Sequence, residues 1–231
     1  MSVKVCAVIL AAGSGNRMQS DTTKQQMLLL GETVLHRTLY TFDKSAVIDS
    51  VVVVCKEDEL DFVKCETKDI KKIISVVVGG KTRAESAIRG FLKAPADAEF
   101  VAIHDCARCL LTEEMLNKVV SDAIKYGAAT ASRVVTDSVK RVDENGFIIS
   151  TENRDSLRLM QTPQVFKTDI YRRAVRNLDL SDSLITDDNA MVERIGGKIF
   201  CTDISAENIK ITYPEDIAFA EFILKGRMKN D

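Results

Sequence analysis

A short stretch near the N-terminus carries residue types that suit the binding of a polyphosphate. Gly13 and Gly15 follow an apolar run, and the cations Arg17 and Lys24 come soon after them. Glycine has no Cβ atom, so a turn built from it can expose consecutive backbone N–H groups to an anion. Arginine and lysine beside such a turn can neutralise phosphate charge. The glycines alone are equally consistent with an ordinary strand-to-helix turn that carries solvated cations.

Two familiar phosphate-binding loops fit this chain poorly. The Walker loop needs Gly-Lys followed by Ser or Thr, and the match at 80–82 lacks the earlier glycine of that loop. The dinucleotide fingerprint needs a third glycine where Met18 stands, and a second strand earlier than the apolar run at 51–54. Both departures count against a dinucleotide-dependent oxidoreductase, which stays an alternative for the same loop.

A carboxylate with metal-binding potential comes later in the chain. Asp105 ends the apolar run 100–104, which predicts a position at the carboxyl end of a strand. The glycine loop would leave its own strand at the same edge of a parallel sheet. A carboxylate beside a triphosphate is a natural ligand of Mg²⁺. The alternative is an aspartate that caps a helix or pairs with Arg108.

The cysteines and histidines offer weaker signals. Cys106 and Cys109 form a C-x-x-C pair between a strand and a helix, where a thiol-redox module would carry one. They have no second pair at a spacing that suits zinc. His36 and His104 do not belong to a Ser or Cys triad arrangement, so we interpret both as structural.

The elements that must position these residues alternate between strand and helix. This rhythm predicts an α/β fold with a mainly parallel sheet and helices on both faces. The strand patterns lie at 3–10, 50–55, 73–78, 100–104, 128–134 and 198–202. The helical patterns of the second half lie at 168–177, 187–195 and 214–224, with one more that starts at Thr112, and residues 161–164 are predicted to form a turn.

One segment interrupts the alternation. Residues 138–151 predict two short strands about Asn145-Gly146, a strong signal for a hairpin turn. The hairpin is sparse in apolar residues, and a two-stranded excursion is marginal unless it packs on something else. We therefore expect an arm, at about 136–156, that embraces a partner subunit.

Composition narrows the function classes. The chain has 231 residues and a formal net charge of −2, which predicts a single α/β domain over 1–231 and gives no global basic field for nucleic acid. No apolar run approaches the length that spans a bilayer, and no signal peptide is visible. The six scattered cysteines suit a reducing compartment, so we expect a cytoplasmic protein.

Several segments, taken in order along nearly the whole chain, resemble the 2-C-methyl-D-erythritol 4-phosphate cytidylyltransferase family. These segments read LAAGSGNRM, TTKQQ, GGKTRAES, HDCAR, DSVKR, ENRDSLRLMQTPQVF, ITDD and ENIKITYPEDIAFAE. The resemblance implies a Rossmann-like nucleotidyltransferase fold with a protruding β-arm for dimerisation. It also implies transfer of a cytidylyl group from CTP to a sugar-alcohol phosphate, with Mg²⁺, in isoprenoid precursor synthesis. Ribitol 5-phosphate cytidylyltransferase is the nearest alternative within the superfamily.

The same resemblance implies roles for particular residues. Arg17 and Lys24 would hold the phosphates of CTP, and Lys24 with Lys210 would stabilise the pentacoordinate phosphorus. Asp105 would hold Mg²⁺ and lie near the second substrate, and Arg154 would reach the neighbouring subunit's site. The remaining nucleotide-binding positions would be Ala11, Ala12, Gly13, Gly15, Gly80, Lys81 and Ser86. The substrate-binding positions would be Asp105, Arg108, Ser138, Arg154, Thr162 and Thr186. Lys81 departs from the pattern, because many members have an acidic residue there.

Overall fold

A central sheet with helices on both faces organises the computed structural model, which describes residues 3–13, 23–179 and 185–229. The strands are β1 (Val5–Leu10), β2 (Leu28–Leu29), β3 (Glu32–Thr33), β4 (Ser50–Cys55), β5 (Ile73–Val78), β6 (Phe100–Asp105), β7 (Ala128–Val134), β8 (Lys140–Val142), β9 (Ile148–Thr151), β10 (Arg158–Lys167) and β11 (Phe200–Asp203). The α-helices are α1 (Val34–Lys44), α2 (Leu60–Glu66), α3 (Arg83–Phe91), α4 (Glu113–Tyr126), α5 (Thr168–Arg176), α6 (Asp188–Arg194) and α7 (Glu215–Arg227).

Within these described ranges, seven strands form the main sheet in the order β11-β7-β10-β6-β1-β4-β5. All its pairings are parallel except those of β10, which runs antiparallel to both β6 and β7. The predicted mainly parallel α/β sheet is confirmed. None of the helices in the described part of the chain combines the length and apolar content that a membrane crossing requires.

The apolar patterns explain the layers. Every residue of β4 is buried, as expected for a valine-rich strand covered on both faces. Alternate residues of β1 face opposite layers: Ala7 and Ile9 pack in the cluster that contains α1 and α4, while Cys6 and Val8 pack in the cluster that contains α3. The strands therefore act as a rigid platform whose carboxyl ends carry the candidate site.

The predicted turn at 161–164 was wrong. These residues lie inside β10, a strand of ten residues with a cis peptide between Thr162 and Pro163. Pro163 suggested a turn because proline cannot donate to a ladder. The pairing of β10 with β7 shifts register between Met160 and Gln164, so the proline falls where the ladder is already interrupted.

The predicted hairpin is present as β8 and β9, which pair with each other in a separate two-stranded sheet. All residues of both strands are exposed. Four large apolar side chains of the hairpin are between 52% and 73% exposed: Val142, Phe147, Ile148 and Ile149. The expectation that the hairpin is sparse in apolar residues was therefore wrong, because these side chains cluster about its turn. Its role in dimerisation stays a prediction.

Candidate active site

A cavity of about 530 Å³ opens at the carboxyl ends of β1 and β6, beside the start of α3. It brings together eight of the sequence-predicted positions: Ala12, Gly13, Lys24, Gly80, Lys81, Ser86, Asp105 and Lys210. The other lining residues are Leu10, Gln25, Thr82, Arg83 and Ala107. Parallel strands place their carboxyl ends at one edge of a sheet, so residues far apart in sequence meet there.

Asp105 is held between two cations. Its Oδ1 accepts from Arg83 Nε at 3.1 Å, and its Oδ2 accepts from Lys210 Nζ at 2.6 Å. Burial alone would raise the pKa of Asp105, but the charges of Arg83 and Lys210 outweigh burial and hold that pKa well below its usual range. The carboxylate therefore stays ionised. The pairing with Arg108 that the sequence suggested is replaced by these two partners.

Arg83 was missed by the sequence reasoning. It is the first residue of α3, and its Nη1 donates to Asp188 Oδ2 at 2.6 Å while its Nε holds Asp105. Burial alone would lower the pKa of Arg83, but the two carboxylates raise it, so it stays a cation. Arg83 lies in a segment that resembles the family, but the residues around it give no sign that its partners are two aspartates distant in sequence.

Two of the three predicted lysines that line the cavity, Lys24 and Lys210, are tied to one segment. Lys24 Nζ donates to the Ile211 carbonyl at 3.2 Å, directly beside Lys210. Ile211 is fully buried, and its N–H donates to the Ala107 carbonyl at 2.8 Å. This anchoring fixes the segment that binds Lys24 and from which Lys210 reaches Asp105.

A second residue that the sequence reasoning missed shapes the glycine turn. Gln25 is buried, and its Nε2 donates to the carbonyls of Ala11 and Gly13. The amide thereby ties the start of the loop to the turn that carries Lys24. Gly15 and Arg17 lie outside the described residues.

Residues 79–86 form another wall of the cavity, where the backbone and small side chains approach each other closely. The Gly80 N–H donates to Ser86 Oγ at 3.1 Å, and that hydroxyl donates to the Thr82 carbonyl at 2.9 Å. A Cβ at Gly79 would come within 2.8 Å of both Ala12 Cβ and Ser86 Oγ. A glycine is therefore needed at 79 to let the wall close on the β1 loop.

A family model for 2-C-methyl-D-erythritol 4-phosphate cytidylyltransferase (IspD) matches residues 5–226. The chain belongs to this family. A protein of that name from Pelotomaculum thermopropionicum is 39% identical over 97% of this chain and 95% of its own length. The relative from Clostridium novyi is 37% identical over 96% of this chain and 97% of its own length. The solved 4-diphosphocytidyl-2C-methyl-D-erythritol synthase from Anaerococcus prevotii superposes with a TM-score of 0.86, at 30% identity and 97% coverage of both chains.

Most positions that the cytidylyltransferase resemblance assigns to the second substrate lie away from the cavity lining. Ser138 and Thr186 are exposed, and Arg154 is exposed with its Nη1 on the Thr136 carbonyl at 2.6 Å. Arg108 is half-buried. None of these four side chains belongs to the cavity lining, although Arg108 is near enough to Asp105 for its charge to help lower the pKa of that carboxyl.

Two further predicted positions lie beneath the cavity. Ala11 is fully buried, with its N–H bonded to the Val54 carbonyl. Thr162 is buried, and its Oγ1 accepts from the Asp105 N–H at 3.0 Å. The same hydroxyl lies 3.1 Å from Nδ1 of His104, a fully buried ring. Thr162 and His104 thus support the strand end that carries the aspartate.

The C-x-x-C pair is unsuited to thiol chemistry in this family member. Cys106 and Cys109 are both buried. Burial raises the pKa of Cys109 to about 12 and that of Cys106 still further above its usual value. Because the thiolate is the reactive form, both residues are expected to be inert at neutral pH.

Proposed function

We propose that this protein transfers the cytidylyl group of CTP to 2-C-methyl-D-erythritol 4-phosphate, giving 4-diphosphocytidyl-2-C-methyl-D-erythritol and pyrophosphate. The carrying observation is the cavity at the ends of β1 and β6, where Lys24, Lys210 and an ionised Asp105 converge. Membership of the cytidylyltransferase family supports this choice over other phosphate chemistries.

The reaction needs little acid–base help from the protein. A phosphate monoester oxygen of the second substrate is already anionic near neutral pH, so it can attack the α-phosphorus of CTP in line. The described residues that line the cavity include neither a histidine nor a glutamate. Asp105 is a weak base because its pKa is lowered by its two cations.

Catalysis would come from positioning and charge compensation. Lys24 and Lys210 would face the phosphates and stabilise the charge that builds on the pentacoordinate phosphorus. The wall formed by Gly80 and Ser86 would hold the nucleotide base and fix its register. Both contributions rely on side chains that are anchored before substrate binds.

The residues of the cavity fit a magnesium ion that Asp105 and the phosphates of the substrate would share. The described residues contain no group of three or more His, Cys, Asp or Glu side chains that could cage a metal. A single ionised carboxylate beside a phosphate site is the arrangement that Mg²⁺ uses, since it takes few protein ligands. Asp105 would hold the ion, which would neutralise phosphate charge when bound.

The arm supports a homodimer. Exposed Phe147, Ile148 and Ile149 give the β8–β9 hairpin an apolar surface that a second copy of the chain would cover. Arg154 follows the hairpin, and a guanidinium suits bidentate capture of a phosphate. We propose that it serves the partner's cavity. A cytoplasmic location is supported by the six free cysteines.

The test is pyrophosphate release from CTP with a panel of alcohol phosphates, repeated with ATP, GTP and UTP. We expect 2-C-methyl-D-erythritol 4-phosphate with CTP to have the highest kcat/KM. A higher value with ribitol 5-phosphate would replace the proposed second substrate. Release from another nucleotide at a higher kcat/KM would overturn the cytidylyl assignment.

A further inference from the structure

Four charged side chains form a continuous ladder from the core to the cavity: Arg83, Asp105 and Lys210 line the cavity, and the fully buried Asp188 lies behind Arg83. Asp188 Oδ1 accepts from Tyr171 Oη at 2.5 Å, and Asp188 Oδ2 accepts from Arg83 Nη1 at 2.6 Å. Arg83 Nε then holds Asp105 Oδ1, and Lys210 Nζ holds Asp105 Oδ2. Two carboxylates and two cations alternate, so the ladder is electrically balanced.

The two carboxylates of the ladder are buried and its cations are partly exposed. The side chain of Asp188 is 0% exposed and that of Asp105 12%, whereas those of Arg83 and Lys210 are 27% and 40% exposed. The inner contacts are therefore the costly ones to break, because they would leave a buried carboxylate uncompensated. The outer contact of Lys210 is the one that solvent and phosphate can replace most readily.

The guanidinium of Arg83 has little left to offer a substrate. Its Nε and Nη1 are used by the two aspartates, and its Nη2 is enclosed without a hydrogen-bond partner among the described residues. A direct contact between Arg83 and a phosphate is thus disfavoured. Its influence on the cavity must pass through Asp105.

We propose that Arg83, anchored by Asp188 and Tyr171, is a positioning residue that keeps Asp105 fixed and compensated when Lys210 moves from it to a phosphate. This inference rests on the proposed function for its substrates. It assigns to the ladder a role that the two lysines proposed to face the phosphates, Lys24 and Lys210, cannot fill. Without Arg83, Asp105 would compete with the phosphates for Lys210.

The first experiment is a double-mutant cycle. Arg83→Lys keeps the charge but cannot hold both carboxylates with one planar group. We expect kcat to fall roughly tenfold to hundredfold, with KM for CTP changed much less, because misplacement of a reacting group acts on kcat. Since Arg83 acts through Asp105, Arg83→Lys should cost under about threefold when Asp105→Asn is already present.

Controls separate this role from a structural one. Arg172→Lys, on the same helix as Tyr171 but in an exposed ion pair with Asp169, should leave kcat unchanged. Circular dichroism melting checks that each variant is folded. An Arg83→Lys enzyme with wild-type kcat, or an equal loss in the Asp105→Asn background, overturns the proposal.

A second readout does not depend on turnover. The Arg83 Nε–H signal in ¹⁵N NMR should be protected from exchange in the wild type and should lose that protection in Asp105→Ala, which removes the acceptor oxygen. The protection should be retained in Lys210→Ala. Equal exchange in the wild type and Asp105→Ala overturns the ladder. If the NMR result holds while the wild type fails to turn over CTP, the proposed reaction is wrong and the Arg83–Asp105 anchoring stands.

Discussion

Subunit mixing offers a sharp test of how the site is assembled. Lys24 lines the cavity of its own chain, whereas the exposed Arg154 belongs to the arm, bonded to the Thr136 carbonyl and outside the cavity lining. If the arm delivers Arg154 to the partner, Lys24→Ala and Arg154→Ala damage different halves of a shared site. Each variant alone should lose about 10²-fold in kcat, as expected when one preorganised charge-stabilising donor is removed.

The expected recovery follows from the symmetry of a two-fold dimer. When the two variants are unfolded and reassembled together in equal amounts, about half of the dimers are mixed. One site of each mixed dimer carries both lesions and the other carries neither. The mixture should therefore regain about a quarter of wild-type activity per chain, far above either parent.

The matched control uses two residues of one cavity. Lys24 and Lys210 line the same cavity of one chain, so a Lys24→Ala and Lys210→Ala mixture leaves one lesion in every site of a mixed dimer. Its activity should stay at the level of the parents. Differently tagged chains that co-purify would show that mixed dimers form. If they form and the Lys24→Ala and Arg154→Ala mixture stays inactive, the site is built within one chain.

Three further predictions address single groups. Lys24→Ala and Lys210→Ala should each lower kcat by about 10²-fold, and a loss under about threefold in either would refute its role in charge stabilisation. The double variant Cys106→Ala, Cys109→Ala should keep kcat within about threefold because both thiols are buried and protonated; a folded but inactive variant would restore the thiol hypothesis. Burial lowers the pKa of His104 to about 3, from 6.5, so the unfolded chain binds a proton that the folded chain does not. The contribution of His104 to stability is therefore fully present above pH 6.5 and is lost as the pH falls. In urea unfolding between pH 6 and 4, the free energy of unfolding should change with pH by about 1.4 kcal/mol per pH unit more than it does in His104→Asn. Equal slopes would contradict the buried neutral ring.

Sequence patterns were most informative where structure is local. The strands Ser50–Cys55 and Ala128–Val134 have the bounds that their apolar runs predicted. The helix predicted to start at Thr112 is α4, which Thr112 caps: its side chain accepts from the Met115 N–H at 3.2 Å. Residue types also indicated the phosphate-binding edge, because a glycine turn and an aspartate after two parallel strands must emerge on the same side.

The misread segment shows where local signals fail. Residues 161–164 carry a proline and read as a turn, yet they belong to β10, because Met160 and Gln164 pair with β7 on either side of the interruption. Such pairing joins residues that are distant in sequence. The propensities of four neighbouring residues hold no information about such pairing.

The partners of Asp105 were decided by the tertiary structure alone. Sequence proximity suggested Arg108, three positions away, but the carboxylate pairs with Arg83 and Lys210, which are 22 and 105 positions away. Arg83 in turn reaches Asp188 across 105 positions. The sequence shows which charged residues are present. The convergence of β6, α3 and α6 at one edge of the sheet decides which of them lie within hydrogen-bond distance of one another.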